Sequence, residues 1–225
     1  MNAALFDFGG TIDTNGIHWS EKYCQLYRQF DVQRSKHDIE QAFVESERNM
    51  AGDKTLRTAT MHETLKKQLG LQFSLLYLKG EDVLLKSMLE HCYKDVRQTI
   101  AKAKIILHKL QKKYTLGVVS NFYGNLEVVL KEFELDKVFA TAIDSEVVGA
   151  RKPDPHIFMF ALNNLHALPR ETYVVGDSYE RDILPSKQIG CTTIWLEGKS
   201  WSTPPSTTAA DYTINSLEGV VDILM

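Results

Sequence analysis

Four short stretches of this 225-residue chain carry polar or charged groups suited to chemistry, three of them directly after apolar runs. Ala3-Ala4-Leu5-Phe6 ends on Asp7, and Gly9-Gly10-Thr11 follows. Leu116-Gly117-Val118-Val119 ends on Ser120-Asn121. Lys152 stands in Gly149-Ala150-Arg151-Lys152-Pro153-Asp154-Pro155. Thr172-Tyr173-Val174-Val175 leads into Gly176-Asp177-Ser178, with Asp182 five residues after Asp177. Such a set suits displacement at phosphorus. A carboxylate can attack phosphorus and form an acyl phosphate. Both partners are anionic, so cations must lie between them. Asp7 and Asp177 suit Mg²⁺, which takes one or two carboxylates and keeps several waters. Lys152 supplies a second, compact positive charge. Together the metal and the ammonium neutralise the transferring phosphoryl group. Ser120 and nearby backbone N–H groups can bind the remaining oxygens.

Each of these residues also has a plain structural reading. Asp7 alone could end a strand in a turn, and Ser120, Asn121 or Asp177 could cap a helix. Lys152 could be a solvated loop lysine. Asp182 could be an exposed helix residue, or could support the metal site directly or through Lys152.

The elements that must position them follow from periodicity. Residues 3–8 are short, bounded by glycines, and read as a buried strand. Trp19, Tyr23, Leu26, Tyr27 and Phe30 recur at three and four, an apolar stripe on a helix. The stripe reads as packing rather than substrate recognition. Ile39, Phe43 and Met50 mark a second helix. Leu56, Met61, Leu65 and Leu69 mark a third that stops at Gly70, and Val83 to Val96 a fourth. A further helix is expected over residues 100–113. Strands are then expected at 116–120, 141–144, 172–176 and 192–196, with a short one at 212–214. Helices fall between them, including 155–168 with proline near its start. Residues 200–210, rich in Ser, Thr and Pro, read as a surface loop. Alternating strands and helices imply a parallel, doubly wound sheet with helices on both faces. Ligands of such sheets bind at the carboxyl ends of the strands, where all four polar stretches would converge. The helical block after the first strand can act as a lid there.

The order, spacing and strand contexts of these stretches resemble the four motifs of the haloacid dehalogenase superfamily over the whole chain. The resemblance implies a Rossmann-like α/β core over residues 1–14 and 98–225, with an inserted all-helical cap over 15–97. It implies Mg²⁺ held by Asp7, the Gly9 carbonyl and Asp177, with Asp182 in support. It implies hydrolysis of a small phosphorylated metabolite through an aspartyl-phosphate on Asp7, with Ser120, Asn121 and Lys152 holding the phosphoryl group.

One position departs from the family. The nucleophile loop is usually Asp-x-Asp-Gly-Thr, and Gly9 replaces the second aspartate. That aspartate protonates the leaving oxygen and then activates water, a role worth about 10²–10⁴-fold in rate. Several readings stand side by side. Another group replaces the acid, with Asp13, His18, Lys54 and Arg57 as candidates. Asp13 reads first as an Asx-type turn residue, and Lys54 as a solvated loop residue. A substrate such as an acyl phosphate needs no acid. Phosphonate-cleaving relatives carry a small residue here and use a cap lysine, which would recruit Lys54. Dehalogenating relatives also lack this aspartate, but usually lack the counterpart of Asp177 as well. Lastly, the chain could be a catalytically weak binding or regulatory protein.

Bulk properties narrow the partners. The formal net charge of −3 gives no reason to expect nucleic acid or an anionic membrane surface. Cys24, Cys92 and Cys191 are far apart, which fits neither a zinc site nor a disulfide framework. There is no apolar run of spanning length and no basic, apolar leader, so the expected setting is cytoplasmic. The expected assembly is a monomer or homodimer.

Overall fold

The structure, a computed structural model, describes residues 2–78, 80–199 and 209–225. Most of the loop expected over residues 200–210 lies outside them. Strand β1 (Ala3–Phe6) is followed by a tight turn over Phe8–Ile12 and then by a helical block. The block holds α1 (Trp19–Gln29), α2 (Lys36–Met50), α3 (Met61–Leu75) and α4 (Asp82–Leu110). Next come β2 (Thr115–Ser120), α5 (Leu126–Glu132), β3 (Thr141–Asp144), α6 (Ser145–Val148) and α7 (His156–Leu165). The chain ends with β4 (Thr172–Gly176), α8 (Leu184–Gln188), β5 (Thr192–Leu196), β6 (Tyr212–Ile214) and α9 (Gly219–Leu224).

The described strands form one parallel sheet in the order β3-β2-β1-β4-β5-β6. Chain order reverses between β1 and β4, which makes that edge the switch point where such sheets bind ligands. Strands covered on both faces need apolar side chains at successive positions, and every residue of β1 is fully buried. Ala4, Phe6, Val118, Val175 and Ile194 face a cluster that takes in Ile106 and Leu110 of α4 and Val129 of α5. Ala3, Leu5, Val119, Ile143 and Val174 face the other way, onto Ile157, Ala161 and Leu165 of α7.

The α/β class and the inserted helices agree with the expectation, while three helix ends differ. α3 runs through Gly70. A glycine inside a helix costs about 1 kcal/mol, and burial of Leu69, Gln72 and Phe73 around it outweighs that. α7 closes at Leu165 because His166 turns left-handed, φ 49°. The expected break near residue 97 is absent, and α4 is continuous for 29 residues. It contains no Gly or Pro, and its buried stripe of Met88, Cys92, Val96, Ile100, Ala103 and Leu107 never breaks register. One helix thus carries the chain from the helical block to the sheet, and a single apolar cluster joins Tyr23, Leu65 and Val96 to Phe6 and Val118. All three cysteines are free and buried. No described helix is long and apolar enough to cross a membrane.

Candidate active site

Asp7 leaves the end of β1 with its backbone N–H bonded to the Val175 carbonyl of β4. Its carboxylate accepts from Lys152 Nζ at 2.5 Å. The same ammonium donates to Asp182 Oδ1 at 2.6 Å. Lys152 is nearly inaccessible at 5 %, so this is a buried ion cluster rather than a surface pair. Burial alone would lower the Lys152 pKa, but Asp182 and Asp7 outweigh it and hold the ammonium charged. Asp182 has both oxygens engaged, since Oδ2 accepts from Ser178 N at 3.1 Å. Its buried carboxyl is pushed up to about 6, with Lys152 opposing the rise.

Asp177 lies across the loop from Asp7. Thr11 Oγ1 accepts from Asp177 N at 3.0 Å and donates to Asp177 Oδ1 at 3.2 Å, tying the first and fourth loops together. Gly10 makes the approach possible. Its φ is +96°, and a Cβ there would stand 2.4 Å from Asp177 Oδ2. Oxygens of Asp7, Asp177 and Asp182 lie within 4.8 Å of one another. Burial, then the charges of Asp7 and Asp182, raise the Asp177 pKa well above the usual carboxylate range. Three carboxylates around one ammonium leave negative charge uncompensated, and an oxygen-lined site of that kind fits a hard divalent cation. Asp7 and Asp177 could hold such an ion, while Asp182 already accepts from Lys152 and Ser178.

Ser120 ends β2 and borders the same cavity. Asn121 borders it too, and its side chain also holds the backbone of Lys152. Its Nδ2 donates to the Lys152 carbonyl at 3.0 Å and its Oδ1 accepts from Lys152 N at 2.8 Å. Both ends of the amide are used to position the lysine. Gly9 also borders the cavity, with an ordinary backbone at φ −76°, ψ 115°. A Cβ added to it would meet only Trp19, at 3.9 Å.

Asp13 is not an Asx-turn residue. It is fully buried, lines the cavity, and accepts from Gly10 N at 2.7 Å and from Trp19 Nε1 at 2.9 Å. Burial pushes its carboxyl up to about 7, against the pull of those two donors and with Asp7 adding to the rise. His18 caps α1 by accepting from Ser20 N at 3.2 Å, and burial lowers it to about 4. Lys54 is exposed and is not among the cavity residues, which removes the support for a Schiff-base lysine there. Arg57 packs its side chain over Gly124 instead.

The helices contribute groups that the linear pattern did not reveal. Trp19 of α1, Phe43 and Glu47 of α2, and Met61, Thr64, Leu65 and Gln68 of α3 line the cavity opposite the strand tips. Tyr123, from the loop after β2, donates to Glu47 Oε1, as does Gln68 Nε2. Tyr23 donates to Gln68 Oε1 at 2.8 Å. The available signal was the apolar stripe of α1, which read as packing throughout. Trp19 lies at its cavity end, while Tyr23 and Tyr27 are buried. Arg181 completes the rim from the fourth loop.

Residues 4–196 match the family model for haloacid dehalogenase-like hydrolases. The chain is 24 % identical to a phosphoglycolate phosphatase of Pasteurella multocida over 97 % of its own length and 96 % of the relative's. It is 29 % identical to a glyceraldehyde 3-phosphate phosphatase of Pyrococcus furiosus, over 57 % of this chain and 55 % of that one. In fold it superposes on the crystal structure of a dehalogenase with an intermediate complex at a TM-score of 0.65 and 20 % identity, covering 100 % of this chain and 97 % of that one. A family match spanning most of the sequence, over a sheet whose strand tips carry the motif residues together, makes this chain a member of the haloacid dehalogenase-like hydrolases.

Proposed function

We propose that the protein is a Mg²⁺-dependent phosphatase of a small phosphorylated metabolite, working through a phosphoryl group carried on Asp7. The observation that carries this reading is the cluster of buried Asp7, Lys152 and Asp182 with half-buried Asp177 at the switch point of the sheet. The phosphatase names among the relatives agree with it.

Asp7 stands at the strand tip with one oxygen on Lys152. That contact fixes the direction of its other oxygen, the one that attacks. Lys152 has one donor left and can bind a phosphoryl oxygen while still touching Asp7 and Asp182. Asn121 and Asp182 hold the lysine from its backbone and its tip respectively. Ser120 and the backbone N–H groups around it take the remaining phosphoryl oxygens. Asp7 and Asp177 would hold Mg²⁺, which supplies positive charge to the phosphoryl group when bound. The helices α1 to α3 act as a cap that confines the leaving group and excludes water, which favours a small metabolite over a protein surface.

Cavity chemistry separates this from the alternatives. Retention of Asp177 disfavours dehalogenation, and Lys54 stands away from the cavity. Phosphate release from a panel of sugar, glycolate and acyl phosphates tests the reading. The expected result is Mg²⁺-dependent release that stops with chelator and in Asp7→Asn. Release unaffected by chelator, or halide release from 2-haloacids without metal, contradicts it.

A further inference from the structure

Gly9 leaves the nucleophile loop without the carboxyl that serves as acid and base, yet a buried carboxyl, that of Asp13, lines the same cavity. The Trp19 indole occupies the space over Gly9, with Nε1 3.9 Å from the position a Cβ would take. The same nitrogen donates to Asp13 Oδ2 at 2.9 Å. Asp13 Oδ1 accepts from Gly10 N at 2.7 Å, so the carboxyl is fixed from both sides against the turn that carries the nucleophile. Asp7, Gly9 and Asp13 line one cavity. Lys22, the nearby cation acting on Asp13, is engaged with Asp95 at 2.9 Å.

We propose that Asp13 is the general acid and base of this enzyme, taking the place of the missing aspartate at residue 9. The proposal rests on Asp7 being the phosphoryl acceptor. In the first step Asp7 attacks phosphorus and the bond to the leaving oxygen breaks. That oxygen keeps the electron pair and takes the proton of the Asp13 carboxyl, so the alcohol departs neutral. In the second step water attacks the phosphoryl group on Asp7 and gives a proton to the Asp13 carboxylate. The phosphorus–Asp7 bond breaks, and inorganic phosphate and the starting enzyme are restored. A carboxyl held near neutrality suits both directions. Burial pushes Asp13 to about 7. Trp19 is a positioning residue in this account, since its N–H orients Asp13.

The test is the dependence of kcat/KM on leaving-group basicity. With an acid at work, the wild-type protein with Mg²⁺ shows a shallow dependence across alkyl and aryl phosphates. Asp13→Asn makes the dependence steep: kcat/KM for alkyl phosphates falls about 10²–10⁴-fold, that for p-nitrophenyl phosphate stays near wild type, and the phosphoryl enzyme accumulates. Gly9→Asp in the Asp13→Asn background restores alkyl phosphates, because position 9 has an ordinary backbone and a Cβ there meets Trp19 only at van der Waals distance. A steep dependence already in the wild type overturns the proposal, and that measurement needs no variant to fold. Equal losses on alkyl and aryl substrates, or no loss on either, also overturn it. Wild-type protein that releases phosphate from nothing in the series overturns the phosphatase reading, and the role of Asp13 with it.

Discussion

The two walls of the cavity handle charge in opposite ways. The strand-tip wall gathers buried Asp7, Lys152 and Asp182 and half-buried Asp177 into a cluster tied together by ion pairs and loop hydrogen bonds. The helical wall presents aromatic rings and a chain of neutral donors, Tyr23 and Gln68 with Tyr123, that converges on the carboxylate of Glu47. The first wall is built from short loops whose direction the sheet fixes, and it suits a reacting group of high charge. The second is built from long helices and suits the part of a substrate that differs between enzymes. Charge is concentrated where chemistry needs it and diluted where only recognition is at stake.

The comparison is broken most severely at Lys152. Lys152→Met leaves Asp7 and Asp182 buried with no cation between them. Removing one partner of a buried ion pair costs about 3–5 kcal/mol, so denaturant unfolding in chelator should show a loss of that order, partly offset by Mg²⁺. A loss under about 1 kcal/mol, the value of a surface pair, would mean that the cluster is not a dry one.

Asp13, between the two walls, gives a pH signature. Its native carboxyl holds a proton up to about 7 because it is buried, against an ordinary 3.8 in the unfolded chain. A group that binds its proton more tightly when folded contributes stability below its unfolded value, and loses it as pH rises through the native value. Asp13→Asn cannot titrate. Its stability relative to wild type, in chelator, should therefore rise between about pH 4 and pH 7 by on the order of 2–4 kcal/mol. A difference that stays flat over that window contradicts the burial of this carboxyl.

The smallest effect is expected at the helical wall. Tyr123→Phe keeps the ring against Phe122 and removes the hydroxyl that donates to Glu47. The expected cost is about 1–2 kcal/mol, with KM changed more than kcat because the contact is remote from phosphorus. A loss of kcat matching that of a strand-tip variant would erase the distinction between the walls.

The same contrast explains what could be read in the sequence. Asp7, Ser120 and Asp177 each follow a short apolar run, and in a parallel sheet a strand end is a position in space; Lys152 reaches them from the loop after α6. Their convergence was legible for that reason. The role of Asn121 was not, because its exchange of hydrogen bonds with the Lys152 backbone joins residues far apart in sequence. Glu47 and Gln68 were missed since the rotation and tilt of α2 and α3 decide which helix face meets the cavity. Asp13 was misread because Asp-Thr-Asn-Gly does form a turn, with Asn15 and Gly16 at positive φ, while the Asp13 side chain points the other way, to Trp19. The continuity of α4 across residue 97 was not legible because the helix carries no local sign of it.

Asp7 as the carrier of the phosphoryl group is the claim on which the account stands, and rapid quenching during turnover tests it most directly. Digestion and mass spectrometry of the quenched enzyme should find a phosphoryl group on the N-terminal peptide at Asp7, absent without Mg²⁺ and absent in Asp7→Asn. A phosphoryl group on another residue, or undiminished phosphate release by Asp7→Asn, would contradict it.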